Sequence, residues 1–245
     1  IYDRLVGSEM CIRDSLSHLG QIAMAGPALI IIEATGVEPE GRITHGCTGL
    51  YSEENEAAMR RVINFCREVG HSRIAIQLNH AGRKASSNLP WKDGKSLALG
   101  EGAWQAFAPS AVPIAEGWHI PQALDEAGLS RIREAFIDST CRAARLGLDA
   151  VELHVAHGYL LHTFLSPVSN KREDQYGGSF DNRVRFPLEI LSAVRKAWPA
   201  EKPLIVRLSA TDWIEGGWSL EQSIALAPLL EDCLLYTSPS PRDGR

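Results

Sequence analysis

Apolar positions along this chain fall into two alternating kinds of run. Short, nearly unbroken runs occur at Ala28 to Ala34 (ALIIIEA), Arg73 to Leu78 (RIAIQL), Ala150 to His154 (AVELH) and Leu204 to Leu208 (LIVRL). Such runs read as strands of a buried parallel sheet. The longest apolar run, Ala28 to Ile32, reads as a buried strand. Between the strands lie longer amphipathic stretches with helix start and stop signals. Ser52 caps a helix to about Val69, with Glu53 and Glu54 favourably placed in its first turn and Gly70 after it. Leu129 to Leu146 is a second helix, closed by Gly147; a third runs from Asp181 or Asn182 to Trp198, and a last one follows the Ser219 cap to about Asp232. Residues 16–25 read as the end of a helix. Strand alternating with helix predicts an α/β fold with a parallel sheet.

Two segments break the alternation. Asn79 to about Ala127 carries Pro90, Pro109, Pro113 and Pro121 and three tryptophans. A stretch this long without periodicity is usually functional, and its tryptophans suggest a packed excursion over a site. A second long loop follows His154. The chain ends differ again. Residues 1–15 show neither helical nor strand periodicity, and residues 233–245 cut into an amphipathic helix and close in a Ser/Pro/Arg tract. Both strings resemble translated sequencing-adapter read-through. They are expected to be non-native extensions, so Cys11 is assigned no role.

Four strands with intervening helices fit an open doubly wound sheet or half of a (β/α)₈ TIM barrel. The glycine-rich G-x-G-x-x-G turn expected in a dinucleotide-binding doubly wound sheet is missing from the sequence. Polar residues instead mark the C-terminal strand ends: Glu33, Gln77, His154 and Arg207. That rim is where TIM barrels place their chemistry. Glu33 and Gln77 are each weak evidence alone. Arg207 ends a strand expected to be buried, so it needs an anionic or carbonyl-rich partner: Glu152, Glu33 or the edge of a cofactor.

The segment HVAHGYLLHTFLSP (154–167) carries the clearest chemistry. His154 and His157 at a strand end can aim both imidazoles into one pocket. They could bind a divalent metal, as in a metal-dependent barrel hydrolase or lyase, or clamp a carbonyl oxygen and stabilise charge developing on it. The metal reading lacks a clear third ligand. Tyr159 could donate a proton in the same pocket.

Totals narrow the partners. A net charge of −5 over 245 residues argues against nucleic acid, which needs a basic face. No run approaches the roughly 18 apolar residues of a membrane span. Five irregularly spaced cysteines fit idle thiols in a cytoplasmic protein.

The runs EATGVEPEGRI (33–43), IQLNHAGRK (76–84), HVAHGYLLHTFLSPVSNKREDQYGGSFDNRVRF (154–186) and VRLSATD (206–212) closely resemble the Old Yellow Enzyme family. The similarity lies with its bacterial xenobiotic-reductase and thermophilic-like ene-reductase branch, and covers nearly all of residues 16–232. The resemblance implies an incomplete (β/α)₈ barrel, about strands 2–5 of the fold. It implies FMN as cofactor and NAD(P)H as electron donor. By resemblance Gln77 and Arg207 bind the flavin's pyrimidine edge, and Ala34 contacts it through the backbone. His154 and His157 bind the carbonyl oxygen of an activated alkene, and Tyr159 donates the proton. The implied reaction is ping-pong reduction of the C=C bond of α,β-unsaturated carbonyl or nitro compounds, with hydride passing through flavin N5. A homo-oligomer is one assembly the family allows. The cluster Asp174, Tyr176, Gly177, Gly178, Asn182 and Arg183 is family-typical and reads as structural. The family's first strand and its phosphate-binding loops have no counterpart in residues 16–232, so weak FMN binding and poor solubility are expected of the chain alone.

Overall fold

The computed structural model describes residues 9–234. Four parallel strands form the main sheet: β1 (Leu29–Gly36), β2 (Arg73–Asn79), β5 (Ala150–Val155) and β6 (Leu204–Leu208), in the order β1-β2-β5-β6. A two-residue parallel ribbon, β3 (Phe107–Ala108) with β4 (Gln122–Ala123), lies in the excursion between β2 and β5. The helices are α1 (Glu9–Ala25), α2 (Glu53–Val69), α3 (Glu126–Arg145), α4 (Leu160–Leu165), α5 (Phe180–Ala197) and α6 (Leu220–Leu234).

The four main strands follow one another in chain order without reversal. A doubly wound sheet reverses at its switch point. Right-handed crossovers that always step the same way leave every helix on one face of the sheet. The result is an arc of a (β/α)₈ barrel, with helices outside and a second face turned inward.

Strand register sorts the two faces. Ile30 pairs with Ile74, Ile76 with Val151, and Leu153 with Val206. This row meets the helices and joins Val62, Ile63, Phe136, Ile190 and Val194 in one core. The alternate row holds Ile31, Glu33, Ala75, Gln77, Glu152, His154, Ile205 and Arg207, with Gln77 opposite Glu152 and His154 opposite Arg207. Its polar members sit toward the C-terminal strand ends.

Several expectations are refined. The Ala28–Ile32 run is not buried throughout: Leu29 and Ile31 are 41% and 39% exposed, because β1 has no outer neighbour among the described strands. Residues 9–15 continue α1, although they lack visible periodicity, and α6 runs on to Leu234 across the expected join at residue 233. The rest of the two suspected extensions, residues 1–8 and 235–245, lies outside the described residues. α3 starts earlier than expected, where the Asp125 side chain accepts the Gly128 N–H (2.8 Å), and α5 starts at the Ser179 cap. The long excursion packs only in part. The Trp104 indole N–H donates to the Glu40 carbonyl (3.0 Å), whereas Trp91 is 79% exposed.

Candidate active site

β5 ends at Val155, and the chain then turns sharply. His157 and Gly158 both adopt left-handed backbone (φ 61° and 69°). Tyr159 next caps the short helix α4. This turn brings the sequence-predicted trio together: the His154 and Tyr159 rings lie 4.8 Å apart, and those of His154 and His157 5.0 Å apart, both edge-on.

The hydrogen-bond network assigns the imidazole protons. The Ala156 N–H donates to His154 Nδ1 (3.2 Å), which places the His154 proton on Nε2. His154 Nε2–H donates in turn to His157 Nδ1 (3.2 Å), so the remaining proton of a neutral His157 sits on its exposed Nε2. Burial pushes the His154 pKa down to about 4, helped by His157, Arg207, His162 and Lys84. The same surroundings lower His157. Both rings are therefore neutral donors near pH 7. Burial raises the Tyr159 phenol, which keeps its proton.

Three side chains hold the turn, two from the loops after β2 and β6 and one from α4. Ser209, just past β6, accepts the His157 N–H (2.9 Å). Lys84, past β2, donates to the His157 carbonyl (2.7 Å) and lies over the Tyr159 ring. His162 Nδ1 in α4 accepts the Gly158 N–H (3.0 Å), and its Nε2–H donates to Asp212 (2.8 Å). The sequence reading missed these groups. Lys84, Ser209 and Asp212 sit in the runs IQLNHAGRK and VRLSATD, but lone polar residues in loops carry no spacing signal.

Beside the trio, an open depression of about 590 Å³ is lined by Ile31, Glu33, Ala34, Gln77, Glu152 and Arg207. The Gln77 amide donates to the Glu152 carboxylate, which leaves the Gln77 carbonyl and its second amide hydrogen for the cleft. Among the described residues Arg207 makes no hydrogen bond or ion pair, so neither Glu152 nor Glu33 is its partner. The expected burial does not hold: β6 is only half-buried and Arg207 is exposed on it, so water solvates the guanidinium that lines the cleft.

The glycine-rich cluster is tied together by its own hydrogen bonds. Arg183 donates to the carbonyls of Leu165 (2.7 Å) and Gly178, Asp174 accepts the Tyr176 N–H (2.9 Å), and the Asn182 amide meets the Asp174 carbonyl. Among the described residues, three or more His, Cys, Asp or Glu side chains nowhere gather as a metal would need.

Comparison with known proteins identifies the family and the fold. The profile of the NADH:flavin oxidoreductase / NADH oxidase family matches residues 9–234. The chain is 42% identical over 229 residues to an NADH:flavin oxidoreductase of Gibberella zeae, covering 88% of this chain and 55% of that protein. It is 36% identical to an NADPH dehydrogenase of Clostridium acetobutylicum, covering 95% of this chain and 67% of the relative. Among solved structures, morphinone reductase in complex with tetrahydroNAD matches with a TM-score of 0.72 at 32% identity, over 88% of this chain and 62% of that one. The Old Yellow Enzyme homologue from Zymomonas mobilis matches with a TM-score of 0.75 at 27% identity, over 94% and 62%. The chain thus spans roughly three-fifths of the structures it resembles. It belongs to the NADH:flavin oxidoreductase / NADH oxidase family, on an arc of the (β/α)₈ barrel.

Proposed function

We propose that this chain carries the flavin-ring and substrate-binding part of an FMN-dependent NAD(P)H oxidoreductase, one that reduces the C=C bond of α,β-unsaturated carbonyl or nitro compounds. The observation that carries the reading is the strand register: Gln77, Ala34 and Arg207 line one cleft, and His154, opposite Arg207, holds the His157 and Tyr159 rings at the neighbouring strand end.

The residues fit the flavin. A pyrimidine edge with two carbonyls and an N–H needs donors and an acceptor. The Gln77 amide offers both, oriented by Glu152, and Arg207 adds a positive charge where reduced-flavin charge would be stabilised. When bound, FMN would take hydride from NAD(P)H and pass it to the alkene.

The chain's own groups supply the rest. His157 presents Nε2–H outward, and His154 backs it. A substrate oxygen that displaces the contact between the rings can accept from both. Because the donors are neutral and fixed, they stabilise enolate-like charge as it grows without reorganising. Tyr159 holds a phenolic proton next to this pair and delivers it to the α-carbon. The metal-dependent alternative has less support, since His154 Nδ1 is committed to a backbone N–H and no third ligand gathers among the described residues.

Adding FMN to the purified protein tests the reading. The expected result is a flavin spectrum bleached by NAD(P)H without oxygen, and binding of a phenol that weakens when His154 or His157 is replaced. Failure to take up flavin, together with stoichiometric zinc, would overturn it.

A further inference from the structure

The left-handed His157–Gly158 turn sets where His157 points its outward Nε2–H, and one of its anchors reaches deep into the protein. The Gly158 N–H is held by His162 Nδ1 (3.0 Å), and an imidazole accepts there only if its proton is on Nε2. That proton has one destination, Asp212 Oδ1 at 2.8 Å. His162 is 5% exposed, so water does not substitute for either partner.

Asp212 is committed in turn. Its Oδ2 accepts from Ser166 Oγ–H (2.5 Å) and from the Trp218 N–H (2.8 Å). Its backbone N–H donates to the Trp218 carbonyl (2.8 Å). Three donors converge on the two carboxylate oxygens. Only a carboxylate of this length accepts on both sides; the isosteric amide would turn an NH₂ toward one of them. Burial by itself would raise the Asp212 pKa, but the bonds from His162, Ser166 and Trp218 outweigh it and hold the group down at about 2. The acceptor is therefore present throughout the physiological range.

We propose that Asp212 is a positioning residue: through the tautomer of His162 it fixes the Gly158 amide, and thereby the direction of the His157 Nε2–H. The chain of dependence runs from the loop after β6, through α4, to the turn after β5. Like Ser209, it ties the polarising pair to the strand that carries Arg207. The link to catalysis rests on the function proposed above; the tautomer and the anchor do not.

The test separates the two links of His162 in the 245-residue chain. His162→Asn keeps an acceptor at the Nδ1 position and loses the reach to Asp212. His162→Gln keeps a donor at the Nε2 position and loses the acceptor for Gly158. Nitrogen NMR of the imidazoles reads the tautomers, and amide hydrogen exchange reads the Gly158 N–H.

In the wild type His162 is expected as the neutral Nε2–H tautomer. His162→Gln should speed Gly158 exchange about tenfold, the worth of one hydrogen bond, and shift the His157 ring signals. His162→Asn should largely preserve both, although it loses the same ring volume. Asp212→Asn should convert part of His162 to the Nδ1–H tautomer and move the His157 signals with it. An Nδ1–H or cationic His162 in the wild type would overturn the proposal. So would Gln and Asn variants that disturb His157 equally, or an Asp212→Asn protein with unchanged His157 signals. These outcomes stand whether or not the protein takes up flavin, so failure of the functional reading is seen separately.

Discussion

Acidifying the protein should expose the cost of burying His154. Its ordinary pKa of 6.5 is pushed down to about 4, first by burial and then by the surrounding positive charge. The unfolded chain therefore binds a proton at His154 more readily than the folded one. Stability is fully present above about pH 6.5, falls as the pH drops from there, and stops falling once the folded state also protonates near 4. The full difference is about 2–3 kcal/mol, after allowing for water that reaches the ring past the exposed His157. Urea unfolding at several pH values across this window, for the wild type and for His154→Gln, isolates the contribution. Other groups titrate in both proteins and largely cancel in the difference. The wild type should lose about 2–3 kcal/mol more than the variant between roughly pH 7 and 4. Parallel curves would mean that His154 is solvated or already charged, and the neutral-donor account of the site would fall with that result.

Other consequences can be checked as directly. Arg207→Gln should leave stability within about 0.5 kcal/mol, since Arg207 is exposed and its side chain has no partner among the described residues, yet weaken FMN binding about tenfold or more by titration calorimetry. Glu56 accepts from Arg60, Arg142 and Arg145, joining α2 to α3. Glu56→Ala should cost about 2 kcal/mol in denaturant unfolding, less than a fully buried pair because two of its arginines are solvated. Asp212, held near 2 against an ordinary 3.8, contributes stability that is complete above pH 3.8 and lost as the pH falls toward 2. Asp212→Asn should abolish that acid-labile component in unfolding curves taken below about pH 4.

The four long strands were legible because a strand of a parallel sheet writes itself as a nearly continuous apolar run, even where, as in β1 and β6, one face stays open. Register, read with that pattern, then places Gln77, Glu152, His154 and Arg207 on one inner row. The pieces that escaped were too short to show a period: two-residue β3 and β4, and the six residues of α4. The expectation that the Ala28–Ile32 run is buried failed for another reason. Burial of Leu29 and Ile31 depends on a neighbouring strand, not on their own apolar character. Of the candidate site, the trio and the cleft-lining pair Gln77 and Arg207 could be named from motif and rim position. Lys84, Ser209 and the His162–Asp212 couple could not. Their work depends on which loops meet after folding, and local sequence does not encode that.

The backbone of His157 shows why those supports are needed. A left-handed φ of 61° on a β-carbon-bearing residue costs on the order of 1 kcal/mol, which glycine would avoid. Glycine cannot stand here, because the reaction proposed needs an imidazole at this point. The strain must be offset locally, and three hydrogen bonds do so: Ser209 on the His157 N–H, Lys84 on its carbonyl, and His162 on the next N–H. Each is worth about 1 kcal/mol. Ser209 and Lys84 come from the segments after β6 and β2, so the turn keeps its shape only when those strands are in register with β5. On this reasoning Lys84→Met should loosen the turn without unfolding the barrel, which hydrogen exchange at Gly158 and Tyr159 would report as faster opening confined to residues 156–160. Opening spread across β5 would instead make Lys84 a general stabiliser and remove the argument that the strain at His157 is offset one bond at a time.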